Sequence, residues 1–237
     1  MDTIDSALAP SPATRAAGPR RAGRAPNGIR PWALTGWTAV VALALYFIAK
    51  NALHYYYGGT ARDGYGTFAG WIRRHIAAGG AALFAGLAQF RTGLRGGRWA
   101  MHRLLGRVYL GSIAIASIAA VTLLTRTRGG WVFASGLAGL AIAWLATSGL
   151  AYIAIRRGNI IQHREWMVRS YVVTFAFVNF RILYDVLEGL HVGKWHERAA
   201  ISSWFCWAVP LLITELLLQG KKVFAAPARR RVPPVQR

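Results

Sequence analysis

Two short words recur in the sequence, HRLLGRVY from His102 to Tyr109 and HREWMVRSY from His163 to Tyr171. Each opens with histidine then arginine, and each continues to Arg-x-Tyr. Neutral imidazoles ligate haem iron, and arginines beside them can meet haem propionates. His102 and His163 are therefore candidate ligands for haem b, with Arg103 and Arg164 as propionate partners. The same words also read as a membrane anchor. In that reading Arg103, Arg107, Arg164 and Arg169 hold lipid phosphates, while Tyr109 and Tyr171 sit at the interface.

A second histidine lies on a stripe of small residues. His75, Gly79, Ala82, Gly86 and Gln89 fall at offsets that share one helix face. That face suits a flat ring with His75 as its ligand, or close packing of another helix around a satisfied histidine. His54 pairs with His75 if the ends of their two helices are adjacent. Further along, Arg181 stands four residues before Asp185, with Asn179, Tyr184 and Glu188 nearby. An ion pair of this spacing fixes a helix end or marks a buried polar site. Arg181, Asp185, Glu188 and Gln89 form the candidate polar membrane site. Glu215 can snorkel towards Lys221 and Lys222.

These residues need a membrane scaffold. Of 237 residues 54% are hydrophobic and only 16% charged, too apolar for an ordinary soluble domain. The net charge of +21 comes from basic residues in short segments between apolar runs, so no continuous basic face exists for nucleic acid. Cys206 is the only cysteine, which leaves no internal disulfide and no multi-cysteine metal site. No phosphate loop, zincin histidine pair or nucleophile elbow is present.

About 20 residues cross the bilayer as a helix. Six segments qualify: Trp32 to Asn51, Ile72 to Phe90, Leu104 to Leu124, Trp131 to Ile155, Trp166 to Leu187 and Ile201 to Gln219. The expected fold is all-α, a polytopic membrane bundle of six transmembrane helices. Residues 1–31 read as a disordered basic tail, 32–219 as the bundle with its core at 72–187, and 220–237 as a second basic tail. Trp32, Tyr55, Tyr56, Tyr57, Trp71, Trp99, Trp131, Trp166 and Trp195 flank the runs as interface anchors.

The Lys and Arg residues alternate in density between the spans. The N-terminal tail, the Arg91 to Arg103 loop with Arg107, the Arg156 to Arg169 loop and the C-terminal tail hold 5, 5, 4 and 6, against 4, 2 and 2 in the alternate loops. The positive-inside rule then puts both termini in the cytoplasm of an inner membrane. Gly79, Gly80, Ala82 and Gly86 in the second span, and Ser135, Gly139 and Gly149 in the fourth, mark places of close helix approach.

The block from His75 to Gln89-Phe90, then HRLLGRVY, the RRGN turn at Arg156 to Asn159, and HREWMVRSY on to Arg181 resembles a bacterial family of predicted membrane proteins, domain of unknown function 2306. The resemblance implies a four-helix core from the second span to the fifth, flanked by the first and sixth. It implies no activity. A more distant likeness is to di-haem transmembrane cytochromes b, whose four helices supply histidine pairs near both membrane faces. Here no single helix carries two histidines at the required separation, so one haem held by His102 and His163 is the economical version.

Three functions are consistent with this reading. One is a haem-binding membrane redox protein of the cytochrome b kind, with a quinone or another redox partner. Another is a small transporter or proton-coupled carrier that uses Arg181, Asp185 and Glu188. The last is a lipid-binding or assembly protein whose basic loops hold anionic headgroups. Substrate and oligomeric state are not legible.

Overall fold

The structure is a computed structural model that describes residues 31–57, 66–95 and 97–224. The expected tails at 1–31 and 220–237 lie outside the described residues except for Pro31 and 220–224. The chain forms two units, 1–41 and 42–237. In the first, the described residues are the opening turns of α1 (Pro31–Asn51), where the Thr38 hydroxyl donates to the Thr35 carbonyl. The second unit holds the rest of α1, then α2 (Ala69–Arg95), α3 (Trp99–Leu124), α4 (Gly130–Arg156), α5 (Ile160–Thr174), α6 (Ala176–Gly189) and α7 (Trp195–Phe224). Short 3-10 turns occupy Leu53–Tyr56 and Gly66–Phe68.

Among the described residues, four helical stretches are long and apolar enough to cross a membrane: α3, α4, α5 with α6, and α7. Helix α2 has the length, but its small residues and Arg73, Arg74 and Arg91 dilute its hydropathy. Large apolar side chains such as Ile118, Ile142, Leu145, Leu212 and Leu216 face outwards, whereas Ala82, Tyr109, Ala116, Trp144 and Val173 are buried between helices. A lipid-solvated bundle has this inversion, with small residues inside so that backbones approach closely. Gly86 is such a point: a Cβ there would lie 2.6 Å from Tyr171 Cδ2.

Local signals set the helix ends. Gly158 adopts a left-handed φ of 73° after α4; its N–H donates to the Ile155 carbonyl and the Asn159 N–H to the Ala154 carbonyl, a Schellman motif. Asn159 then caps α5, its side chain accepting from the Gln162 N–H at 3.1 Å. The RRGN turn therefore ends one helix with Gly158 and starts the next with Asn159. The same motif closes α6, with His191 in the left-handed position at φ 56°. Glu197 at the third position of α7 accepts the Lys194 N–H, one half of a capping box.

The fifth expected span is broken at Phe175 into α5 and α6. Pro210 sits within α7 and cannot donate to the carbonyl four residues back, that of Cys206. The Asn179 amide of α6 donates to that carbonyl at 3.1 Å. The last helix thus packs on α4 and α6 and is joined to α5 by an ion pair, so it is built into the four-helix core rather than merely flanking it.

Candidate functional site

The two His-Arg words meet in space. The His102 and His163 rings, from the first turns of α3 and α5, stand 6.5 Å apart between centroids at 83°. Each ring is held through Nδ1. His163 Nδ1 lies 2.9 Å from the Ala151 carbonyl, which requires Nδ1–H as donor. His102 Nδ1 lies 3.1 Å from Thr92 Oγ1. The Thr92 hydroxyl donates to the Ala88 and Gln89 carbonyls, so it accepts from His102 Nδ1–H. Both rings are therefore assigned the tautomer that leaves Nε2 with a free lone pair, the form that binds a metal.

The support for His102 comes from α2. Gln89 donates to the His102 carbonyl at 3.0 Å, and a Cβ on Gly93 would stand 3.3 Å from His102 Cε1. Trp99 meets the other side of the ring edge-on. Arg103 and Arg164, each one residue beyond its histidine, are exposed at this end of the bundle. The two rings bridge α3 and α5 at this end of the bundle. Two imidazoles sharing one metal at about 2 Å each fit this separation.

The repeated words diverge after their histidines. Arg107 is exposed, but Arg169 is buried, donating to Glu215 at 2.7 and 2.6 Å, with Glu165 at 3.7 Å and the Trp166 ring beneath it. The expectation that Arg169 reaches lipid phosphate is corrected, because its phase on α5 turns it towards α7. Glu215 meets Arg169 most closely, and Lys222, whose charge also acts on Glu215, pairs with Glu165 at 2.7 Å. Nor do the tyrosines sit at an interface. Tyr109 is fully buried, and Tyr171 donates to the Leu83 carbonyl while packing on Gly86.

Tyr109 belongs to a buried hydroxyl cluster. Its OH is 2.7 Å from both Ser170 Oγ and Thr174 Oγ1; Ser170 meets Ser148 at 2.7 Å, and the Trp144 indole N–H donates to Thr174 at 2.8 Å. In lipid each polar group needs an internal partner, and this cluster supplies them reciprocally between α3, α4 and α5.

At the opposite end of α2 the structure contains a cavity of about 710 Å³, lined by residues including His75, Ser117, Phe133, Leu137, Trp144 and Phe177. His75 Nδ1–H donates to the Ala116 carbonyl at 3.0 Å, and its ring meets Phe177 edge-on. The end of α1 does meet that of α2, through Tyr55 and Tyr56 on Arg73, while the contacts of His75 among the described residues are with α3 and α6. Ser117 is buried and its hydroxyl has no partner among the described residues. Arg126 and Arg128 stand on the lining where α3 hands over to α4, Arg126 over the Phe68 ring.

The polar membrane site does not assemble as expected. Gln89 serves His102, about four turns along α2 from His75, because the stripe the two share runs the length of the helix. Arg181 pairs with Asp185 at 3.2 Å, and Lys50 of α1 reaches the same carboxylate at 3.2 Å. Glu188 pairs with Arg198 instead. The gap between Lys50, Arg181 and Asp185 is about 40 Å³, room for a water and not for a solute. Among the described residues no cluster of three or more His, Cys, Asp or Glu side chains is poised for a metal ion.

Apolar helices, an inverted small-residue core and paired intramembrane charges define a polytopic α-helical membrane protein. The family model for predicted membrane proteins, DUF2306, matches residues 72–218, well over half of the chain, and the protein belongs to that family. The match runs through α7, beyond the Arg181 limit of the resemblance read from the sequence. No curated protein and no solved structure matches the chain.

Sequence reasoning found the histidines but missed the cavity and the burial of Arg169. The cavity is made by Ala116, Ser117, Ala120 and Ala141 on two helices against Phe133 and Trp144, and no local pattern announces that combination. Glu165, four residues before Arg169, was the available signal for an ion pair.

Proposed function

We propose that this protein is a membrane redox protein of the cytochrome b kind, with haem b held between His102 and His163. The observation that carries the reading is the 6.5 Å separation of two imidazoles whose Nδ1 atoms are both engaged by the protein, which leaves both Nε2 lone pairs uncommitted. The residues present suit the group. Gly93 lets the His102 ring lie close against α2, and Arg103 and Arg164 offer guanidinium groups to propionates at the membrane surface. When bound, haem supplies reversible one-electron transfer. The protein's part is to fix the imidazole orientation through Thr92, Gln89 and the Ala151 carbonyl.

The basic residues that flank alternate spans support an inner-membrane location with both termini cytoplasmic, which puts the His102–His163 pair near the cytoplasmic face. Anionic headgroups are then natural neighbours of exposed Arg103, Arg107, Arg156, Arg157 and Arg164. The test is haem content per protein after expression with ample haem. Wild type is expected near one haem per chain, and His102→Ala and His163→Ala are each expected to lose it. A folded wild type without haem would refute the proposal.

A further inference from the structure

The cavity of about 710 Å³, at the end of the bundle opposite His102 and His163, has a basic mouth and an apolar interior. Arg126 and Arg128 are exposed on the turn that joins α3 to α4, and both line the mouth. Arg126 lies over the Phe68 ring at 4.9 Å, a contact that orients a guanidinium without neutralising it. Among the described residues neither arginine meets a carboxylate, and the described lining holds no acidic residue. Thr127 adds a donor: its hydroxyl oxygen accepts the Gly129 N–H, which leaves its own proton to give. The mouth therefore presents positive charge that the described residues do not answer.

Inward, the lining loses its charge. On α4 it descends from Gly129 through Phe133 and Leu137 to Trp144, residues that share one helix face. At the rise of an α-helix this stripe is about 22 Å long, so the cavity runs along the helix rather than across the bundle. Phe177 faces the stripe from α6, and His75 spends its Nδ1–H on the Ala116 carbonyl. The volume lies within the range of small-molecule sites. A long apolar well under a cationic rim matches a molecule that is apolar except at one negative end. The depth matches as well: the rim sits where α3 ends at Leu124 and α4 begins at Gly130, the level at which the heads of membrane amphiphiles lie. There the chain loses its contact with water and the head meets two guanidinium forks. We infer that this cavity binds a single-chain amphiphile with an anionic head, a long-chain fatty acid or the corresponding lysophosphate, its head at Arg126 and Arg128 and its chain along α4 towards Trp144. The site stands apart from haem ligation by His102 and His163 and does not depend on it.

Scintillation-proximity binding of tritiated palmitate to the full chain, in micelles of a neutral two-chain maltoside detergent, tests it. One saturable site per chain is expected. Unlabelled hexadecanol and hexadecyltrimethylammonium carry the same chain with a neutral or a positive head, and each should compete roughly tenfold less well than palmitate. Arg126→Gln with Arg128→Gln should weaken palmitate about tenfold, since two exposed ion pairs are lost, and should leave competition by hexadecanol unchanged. Arg156→Gln with Arg157→Gln, at the other end of the bundle, should have no effect. Ala120→Phe fills the cavity without touching the rim and should weaken palmitate roughly tenfold or more. Palmitoyl lysophosphatidate separates the two sources: stronger competition than palmitate assigns the site to a lysophosphate and weaker competition to the free fatty acid, and either supports the inference. A folded wild type with no saturable site, equal competition by the three head groups, or palmitate affinity unmoved in the Arg126 and Arg128 variant would overturn it. Loss of binding in the Arg156 and Arg157 variant instead would also overturn it, since the palmitate would then sit on the opposite surface. Haem content is measured separately, and saturable palmitate binding with these dependences in a chain without haem still supports the site.

Discussion

Replacing Thr174 by valine should destabilise the bundle more than replacing Tyr109 by phenylalanine, although Tyr109 is the larger and equally buried side chain. Tyr109→Phe removes two hydrogen bonds, but neither partner is orphaned: Ser170 keeps Ser148, and Thr174 keeps the Trp144 N–H and the Ser170 carbonyl. Interhelical hydrogen bonds in membrane bundles average about 0.6 kcal/mol and reach about 1.7. A loss of about 1–2 kcal/mol follows. Thr174→Val breaks the bond to Tyr109 and also strands the Trp144 N–H without its acceptor. A buried unsatisfied donor adds about 1–3 kcal/mol, which brings the total to about 2–4 kcal/mol. Unfolding in mixed micelles, followed by circular dichroism against denaturing-detergent mole fraction, measures both. If Tyr109→Phe proved as destabilising as Thr174→Val, the bookkeeping of shared partners in this cluster would be wrong.

Other perturbations follow from the same contacts. Asn179→Leu should cost about 1–3 kcal/mol in the same unfolding assay, because the Cys206 carbonyl freed by Pro210 loses its donor; an unchanged midpoint would mean the carbonyl finds another partner. His191→Gly should stabilise by about 1 kcal/mol, since glycine adopts the left-handed φ of 56° without a Cβ penalty. Lys50→Met should change stability by less than about 1 kcal/mol, because its pair with Asp185 is half exposed and Asp185 retains Arg181. Glu215→Gln should cost more than Lys50→Met, as it takes the short contact from buried Arg169, with Glu165 left at 3.7 Å.

The helices were legible because an apolar run of the right length has one stable form in lipid, and the observed elements contain the expected spans with extra turns at their ends. The Gly158-Asn159 turn was equally local, since one residue ends a helix and the next begins another. The break at Phe175 was not, because no glycine or proline marks it; α6 is held by Asn179 reaching a proline-freed carbonyl 27 residues away along the chain. Among the site residues, the pairing of His102 with His163 could be read from repeated words at helix starts. The fates of Arg107 and Arg169 were harder to read: Arg107 follows its histidine by five residues and Arg169 by six, and that one-residue difference in helical phase leaves the first exposed and turns the second onto α7. Ser117 had no sequence signal at all: a serine in an apolar span normally bonds its own helix, and its lack of a partner is visible only once the cavity is.

The most direct test of the haem reading is low-temperature electron paramagnetic resonance of the oxidised, detergent-purified protein, with His102→Ala, His163→Ala and His75→Gln alongside. Two imidazole ligands predict a low-spin ferric signal in wild type and in His75→Gln, converted to high spin or lost in either of the other two variants. A folded wild type with no ferric signal after haem-supplied expression, or a signal indifferent to His102 and His163, would contradict the account.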